Sequence, residues 1–242
     1  ETGAIICLTG DTGAAKTGAL FSAVSIWGNP KVLYVHAKKG GTFNALKGRI
    51  STLHNMTYAH DEVTNLDPED ISEMSHMIST GKPKLKMQAS INAERDFESS
   101  ASMIALFTSN KSIYDKLSAL KHDPNGEVAR IIEFMLGQPK ILQTDLTFGR
   151  RVFEAFKANY GHAGPKFIQA VFDIENKGEV IRYFKNDHDL GPRFQKWVDR
   201  FIKDYGTDPG DRYYHNLIAL PLGAGEIALE YGILGNCNVE KL

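Results

Sequence analysis

One short stretch of the chain carries the residue types that bind a polyphosphate. An apolar run, Ala4 to Leu8, leads into Gly10-Asp11-Thr12-Gly13-Ala14-Ala15-Lys16-Thr17-Gly18, which we call the phosphate loop, and an apolar segment follows. The order is therefore strand, loop, helix, in which backbone N–H groups at the start of the helix can wrap phosphate oxygens. We expect Lys16 to reach the outer phosphates of ATP and the Thr17 hydroxyl to hold Mg²⁺.

The residue before the lysine departs from the usual pattern, because Ala15 stands where a glycine is common. We expect Ala15 to take the right-handed conformation of a helix start, with its methyl group close to the phosphates. The alternative interpretation of the whole loop is a Gly- and Ala-rich turn with an exposed lysine, since short motifs recur by chance.

Two adjacent carboxylates follow another apolar run. Residues 56–59 are predicted as a strand, and Asp61 and Glu62 come at its carboxyl end, where ligands bind in open α/β sheets. Asp61 would complete the Mg²⁺ shell through water, and Glu62 would polarise the water that attacks the γ-phosphate. Such a pair is commonly a solvated turn, but its place one strand and one helix after Thr17 favours a nucleotide site.

Three further polar residues lie on or beside the predicted strands. Asn110 follows the strand at 103–107, where its amide would orient the attacking water, although asparagine also caps helices. Arg130 opens the strand at 129–136, from which it would reach the γ-phosphate of a neighbouring subunit, a contribution of about 4 to 7 kcal/mol. The alternative for Arg130 is a surface residue. His60 is interpreted as a packed neighbour of the carboxylates rather than a base.

Hydrophobic periodicity predicts the elements that position these residues. Strands are expected at 4–8, 31–35, 56–59, 103–107 and 129–136, with helices after the phosphate loop and at about 42–53, 67–80 and 112–120. This alternation predicts an α/β fold with a five-stranded, mainly parallel sheet. Helices follow at about 145–159, 165–172, 191–205 and 211–231. We therefore expect an ATPase core at 1–140 and a helical lid or C-terminal region at 141–242.

Residues 82–98 interrupt the alternation and are predicted as a β-hairpin inserted in the core. Lys82, Lys84 and Lys86 alternate with other residues, so they would share one face of a strand, which could follow a nucleic-acid backbone. Pro83 would confine that strand to a sheet edge. A solvated edge is the alternative, because lysines also block edge-to-edge pairing.

Composition limits the class of protein. The 242 residues are 42% hydrophobic, as in soluble globular proteins, and the net charge of −1 means that nucleic-acid binding must depend on a local patch. Cys7 and Cys237 show neither metal-ligand spacing nor a disulfide framework. With no signal peptide and no apolar run of about 18 residues, we expect a cytoplasmic protein without a membrane partner. Because its first strand begins at once, we also expect a fragment that lacks an N-terminal domain.

In chain order, the motifs resemble those of AAA+ P-loop ATPases. The phosphate loop resembles Walker A, Tyr58-Ala59-His60-Asp61-Glu62 resembles Walker B, Leu106-Phe107-Thr108-Ser109-Asn110 resembles sensor 1, and Ala129-Arg130-Ile131-Ile132-Glu133-Phe134 resembles the arginine-finger region. The hairpin before the sensor strand resembles the pre-sensor-1 hairpin of the branch that contains superfamily 3 and minichromosome-maintenance helicases.

Three other stretches, at 25–30, 158–165 and 224–226, resemble the helicase-like domain of phage and mobile-element replication proteins. This resemblance implies ATP and Mg²⁺ as cofactors, a homo-hexameric ring, and single-stranded or forked DNA in a channel lined by hairpins, within the cytoplasm of a bacterial host cell. It also implies a second sensor arginine at the start of the last long helix. Arg212 stands there, with Arg193 and Arg200 as nearby competitors.

The leading hypothesis is an ATP-dependent DNA helicase or translocase motor domain. An AAA+ loader or protein remodeller would share the ATP site without needing basic hairpins in a channel. A nucleotide-gated assembly scaffold with little hydrolysis is the third hypothesis, and Ala15 is the residue that suggests it. The hairpin lysines therefore distinguish the first two hypotheses, and measurable ATP turnover distinguishes the third.

Overall fold

The structure, a computed structural model, describes residues 3–36, 42–81, 87–88, 93–94, 102–119, 125–141, 145, 147–176, 192–206 and 212–235. The strands are β1 (Ala4–Thr9), β2 (Tyr34–His36), β3 (Tyr58–Asp61), β4 (Met87–Gln88), β5 (Ala93–Glu94), β6 (Ile104–Ser109) and β7 (Ile131–Met135). The helices are α1 (Lys16–Ser25), α2 (Pro30–Leu33), α3 (Phe43–Leu53), α4 (Pro68–Thr80), α5 (Ile113–Ser118), α6 (Asn125–Val128), α7 (Phe148–Ala158), α8 (Ala163–Asn176), α9 (Pro192–Tyr205) and α10 (Arg212–Glu230).

Five parallel strands form one sheet in the order β2-β3-β6-β1-β7. β1 pairs with β6 and β7, and its last residue, Thr9, lies level with Ser109 and Met135 at the ends of those strands. Because parallel strands end at the same edge, the segments after β1, β3 and β6 meet at what we call the carboxyl edge of the sheet. The predicted α/β class and five-stranded parallel sheet are confirmed.

Alternating side chains bury both faces of this sheet. On β6, Ala105 and Phe107 join the main apolar cluster with α4, whereas Leu106 packs with Leu20 and Val24 of α1 on the other face. Full burial of a side chain such as Phe107 contributes about 1.5 to 3 kcal/mol. The sheet is thus fixed between helices, which gives its carboxyl edge a rigid base.

The segment predicted as a strand at 31–35 differs from the expectation. Pro30–Leu33 forms the short helix α2, and β2 begins only at Tyr34. The Asn29 side chain accepts a hydrogen bond from the Lys31 N–H at 3.0 Å, and Pro30 occupies the first helical position. These helix-start signals outweigh the strand-forming residues of this short segment.

Within the predicted hairpin, Met87–Gln88 pairs antiparallel with Ala93–Glu94. Lys82, Lys84 and Lys86 lie outside the described residues. Their assignment to DNA binding therefore stays a prediction.

The chain divides into two compact units, Glu1–Tyr160 and Gly161–Leu242. The assignment of an ATPase core to 1–140 and a helical lid or C-terminal region to 141–242 stays a prediction. Helix α7 belongs to the first unit because Phe153 stacks on Phe21 of α1, with ring centroids 4.6 Å apart. In the second unit, Trp197 and Val198 of α9 pack with Ala219 of α10. No helix among the described residues is long and apolar enough to cross a membrane.

Candidate nucleotide-binding site

The phosphate loop leaves β1 along a path that requires glycine at two positions. A Cβ atom at Gly10 would overlap the carbonyl oxygen of Leu136, so no larger residue fits there. Gly13 has a φ of 94°, a left-handed value that glycine adopts without steric cost. The two glycines of the motif are therefore explained by the course of the backbone.

Ala15 is also left-handed, with φ 60° and ψ 17°. The expected right-handed conformation is wrong, because the chain must turn through a positive φ to enter α1 at Lys16. An alanine in this conformation costs roughly 1 to 2 kcal/mol, a cost that glycine would avoid. The usual glycine before the lysine is thus explained here by backbone conformation.

Lys16 is only 8% exposed and lies against the backbone of the phosphate loop. Its Nζ donates hydrogen bonds to the carbonyl oxygens of Gly10 and Asp11, the second at 2.9 Å. These carbonyls compensate for the burial of the ammonium group. The charge is consequently fixed beside the N–H groups that would bind a polyphosphate.

Thr17 and Asp61 meet between the start of α1 and the end of β3. The Thr17 hydroxyl donates to the Asp61 carboxylate, with oxygen–oxygen distances of 3.1 and 3.3 Å. Both supply hard oxygen ligands, which fit Mg²⁺. Among the described residues, no group of three or more His, Cys, Asp or Glu side chains could hold a metal by itself. An ion at this pair would therefore take its other ligands from nucleotide phosphates and water.

Glu62 follows β3 in a left-handed conformation, with a φ of 58°. Its N–H donates to the Thr108 hydroxyl oxygen at 2.9 Å, and its carboxylate lies 3.3 Å from Nε2 of His36 at the end of β2. The Glu62 side chain is 36% exposed. Its carboxylate is thus held at a defined place and is still accessible to water.

His60 points to the opposite face of β3 from Asp61 and is fully buried. Its ring packs edge-on against Phe107, with centroids 5.9 Å apart, and Nδ1 lies 3.2 Å from the Tyr58 hydroxyl. Burial lowers the pKa of His60 to about 4, so the ring is neutral. These contacts support its interpretation as a packed neighbour rather than a base.

Asn110 lies at the carboxyl edge between the phosphate loop and the carboxylates, because β6 runs between β1 and β3. Its N–H donates to the Thr64 hydroxyl at 2.8 Å, just past β3. On the other side, the Gly10 N–H donates to the Ser109 carbonyl oxygen at 3.2 Å. Asn110 is exposed at this position. The structure thus places it near Lys16, Thr17, Asp61 and Glu62 along one edge.

Arg130 comes just before β7, at the amino ends of the parallel strands, opposite the carboxyl edge. Its carbonyl oxygen accepts from the Ile5 N–H at 3.1 Å, near the start of β1, and its guanidinium donates to the Gly126 carbonyl oxygen. Five residues of strand span about 16 Å, so Arg130 does not join the phosphate loop of its own chain. Arg212 begins α10 in the second unit, and its side chain is outside the described set.

The sequence analysis missed several polar residues of the site, among them Thr108 and Glu133. Thr108 donates to Asp61 Oδ1 and accepts the Glu62 N–H. On the other face of the sheet, Glu133 accepts from the Thr9 hydroxyl at the start of the phosphate loop, and from the Ser112 hydroxyl and the Ile113 N–H at the start of α5. A carboxylate within the apolar run of β7 was the available signal for Glu133.

Comparison with known proteins agrees with this fold. A family model described as "Domain of unknown function (DUF927)" matches residues 1–95, and no curated protein matches the chain. A solved structure described as "SCCmec type IV Cch - active helicase" is 20% identical, with a TM-score of 0.72. The match covers 99% of this chain but only 40% of that one. The chain therefore shares the fold of a region of a longer, solved helicase.

Proposed function

We propose that this chain is the ATP-hydrolysing motor domain of a DNA helicase or translocase from a phage or mobile-element replication protein. The observation that carries the proposal is the contact between Thr17 Oγ1 and Asp61 Oδ2, 3.1 Å apart, because Thr17 lies next to Lys16 in the phosphate loop. Phosphoryl transfer from ATP uses a cation on the phosphates and oxygen ligands for Mg²⁺, so this arrangement supports the proposal. The similarity in fold to a solved helicase supports the DNA-directed part of the proposal.

Each residue of the carboxyl edge has a role in this proposal. N–H groups of the phosphate loop and the Lys16 ammonium would bind the β- and γ-phosphates. Thr17 and Asp61 would hold Mg²⁺, which neutralises charge on the phosphates when it is bound. Glu62 would polarise the attacking water, and Asn110 would orient it. Hydrolysis would then depend on the partly exposed Glu62 carboxylate rather than on the buried, neutral His60.

Assembly is part of the proposal, because Arg130 lies at the edge of the sheet away from its own phosphate loop. We assign Arg130 to the γ-phosphate of an adjacent subunit in a homo-hexameric ring, and Arg212 to the role of second sensor. Single-stranded or forked DNA would contact the hairpin lysines in the channel. Since the solved helicase is a longer chain, we place this domain within a larger replication protein. We further propose that this protein acts in the cytoplasm of a bacterial host cell.

The test compares Lys16→Ala with Glu62→Gln. We expect Lys16→Ala to lose ATP binding, because it removes the cation that contacts the phosphates. Glu62→Gln should keep binding but lower turnover about 10²-fold or more, because it removes only the water-polarising carboxylate. Fluorescent-nucleotide binding and phosphate release measure the two effects. Lys47→Ala and Glu73→Gln are matched controls, because this ion pair joins α3 to α4 away from the loop.

Equal loss of ATP binding in both variants would contradict the roles assigned to them. ATP binding by the wild-type protein without turnover at any protein concentration would favour the nucleotide-gated scaffold. Turnover that is independent of single-stranded DNA would favour the loader or protein remodeller.

A further inference from the structure

Thr108 is the second-to-last residue of β6, and only 1% of its surface is exposed. Alternation along β6 places it on the same face as Leu106, which packs against α1. Asp61 lies on that face of β3 for the same reason, two residues after Ala59, which packs with Leu20 of α1. The strand order therefore brings the Thr108 hydroxyl to the carboxylate that faces the start of α1.

The single hydroxyl of Thr108 makes two contacts at once. It donates a hydrogen bond to Asp61 Oδ1 and accepts a hydrogen bond from the Glu62 N–H at 2.9 Å. A hydroxyl has one proton and two lone pairs, so both hydrogen bonds form without competition. One oxygen atom thus contacts both the Asp61 carboxylate and the Glu62 backbone, in addition to the Thr17 contact of Asp61 and the His36 contact of Glu62.

The Asp61 carboxylate and the Glu62 backbone, which Thr108 contacts, can each adopt other conformations. A carboxylate can rotate about its Cβ–Cγ bond, and rotation would move the oxygens of Asp61 away from Thr17 Oγ1, now 3.1 Å distant. Glu62 has a φ of 58°, which a non-glycine residue adopts only when neighbouring contacts hold it. Without the hydroxyl, Asp61 and Glu62 each lose one of the contacts that hold the observed arrangement.

We propose that Thr108 is a positioning residue for nucleotide hydrolysis, which orients Asp61 toward Thr17, where the two would hold Mg²⁺, and fixes Glu62, which would polarise the attacking water. The inference rests on the function proposed above and adds a residue to its site. Thr108 acts through the two carboxylate residues and does not itself contact the nucleotide.

The test replaces Thr108 by valine, which has the same shape without the hydroxyl, and by serine, which keeps it. For Thr108→Val we expect the Mg²⁺ concentration at half-maximal binding of fluorescent ADP to rise about 10-fold. The value of kcat should fall about 10- to 100-fold, as for the loss of other groups that orient a metal ligand, while the KM measured at saturating Mg²⁺ stays nearly constant. Thr108→Ser should remain within about 2-fold of wild type in all three measurements, since both hydrogen bonds can form.

Thr52→Val is the control, because the Thr52 hydroxyl is exposed on α3 and bonds to the Gly48 carbonyl. It should leave the Mg²⁺ dependence unchanged. Thermal melting of each variant reports folding, and Thr108→Ala replaces Thr108→Val if the latter does not fold. A purely structural role would lower the melting temperature without changing the Mg²⁺ dependence, and that result would overturn the inference.

Two other results would also overturn it. In the first, the wild-type protein hydrolyses ATP and Thr108→Val has the same Mg²⁺ dependence and the same kcat as the wild type. That result would leave the proposed function intact. The other is a Thr108→Ser variant as impaired as Thr108→Val, which would show that the hydroxyl is not the required group. A wild-type protein that neither binds nor hydrolyses ATP would instead overturn the proposed function and this inference together.

Discussion

Ala15 and Glu62 hold unusual backbone conformations at the two halves of the candidate site. Both are left-handed, with φ values of 60° and 58°. Strained residues of this kind often lie at functional sites, where neighbouring contacts hold them in place. His54, at the end of α3, also has a positive φ, so the conformation alone does not identify a site. At Ala15 and Glu62 the left-handed conformation is informative because these residues are the direct neighbours of Lys16 and Asp61.

Replacing Ala15 by glycine should stabilise the protein, because glycine adopts the left-handed conformation without the clash of a methyl group. We expect the free energy of unfolding to rise by up to about 1 kcal/mol, the relief of strain being partly offset by the greater freedom of glycine in the unfolded chain. ATP should bind at least as tightly, since the change only removes atoms near the phosphates. Denaturant unfolding and nucleotide titration measure the two quantities.

Ala14→Gly is the matched control for this prediction. Ala14 is buried, and its φ is not among the positive values. The same substitution there should lower the free energy of unfolding by about 1 kcal/mol, because it removes a buried methyl group and adds freedom to the unfolded chain. If Ala15→Gly and Ala14→Gly lowered the free energy of unfolding equally, the left-handed conformation of Ala15 would not strain the folded protein.

Strands β1 and β7 are joined to helix α5 by the side chain of Glu133. Alternation places Glu133 on the face of Ile131, which packs in the main apolar cluster. There the carboxylate accepts hydrogen bonds from Thr9, Ser112 and Ile113. The end of β1 and the start of α5 flank the phosphate loop and Asn110, respectively. Glu133 therefore fixes the end of β1 relative to the start of α5, the two segments next to the candidate site.

We expect Glu133→Ala to lower the free energy of unfolding by about 2 to 3 kcal/mol, because three donors lose their acceptor in a partly buried place. Glu133→Gln keeps one side-chain oxygen that can accept a hydrogen bond, and should lose about half as much. Urea unfolding measures both values. Unfolding energies equal to that of the wild type in both variants would show that solvent replaces the carboxylate at no cost.

Sequence patterns predicted the structural features that depend on residues close together along the chain, such as individual strands and helices. Apolar runs located four of the five strands of the sheet, but the run at 31–35 overlaps β2 only at Tyr34 and Val35, because the residues before them form α2. The spacing from Thr17 to Asp61 predicted that these two residues meet. The contacts of Thr108 and Glu133 depend instead on β6 lying between β1 and β3, and on β7 lying beside β1. Strand order is decided by packing of the whole sheet, so no local pattern indicated these contacts. The conformation of Ala15 was missed because alanine favours right-handed backbone in general.

The whole molecule has almost no net charge, at −1, so a DNA-binding face must come from an uneven distribution of lysine and arginine. The strongest candidate from the sequence is the alternation of Lys82, Lys84 and Lys86 before the antiparallel pair of β4 and β5. If this segment forms a strand, as the sequence predicts, its three lysines share one face, and such a face can follow a nucleic-acid backbone.

Replacing Lys84 and Lys86 together by alanine should weaken the binding of single-stranded DNA and reduce its dependence on salt. Each phosphate neutralised by a lysine contributes about 0.7 to the slope of log affinity against log salt concentration, so the slope should fall by about 1.4. Basal ATP hydrolysis should persist, because neither lysine is assigned to the nucleotide. Fluorescence anisotropy with a labelled oligonucleotide at several salt concentrations measures the slope, and phosphate release measures the ATPase with and without DNA.

A second double variant, Lys166→Ala with Lys203→Ala, removes the same charge from exposed positions on α8 and α9. If the two double variants reduce the salt slope equally, the effect reflects net charge rather than a DNA-binding face on the hairpin. If Lys84 and Lys86 can be removed without any change in affinity or slope, DNA does not contact the hairpin, and the loader or protein remodeller becomes the better proposal. A reduced slope in the hairpin variant alone, together with loss of stimulation of the ATPase by DNA, would tie ATP hydrolysis to DNA binding in the manner that a translocating motor requires.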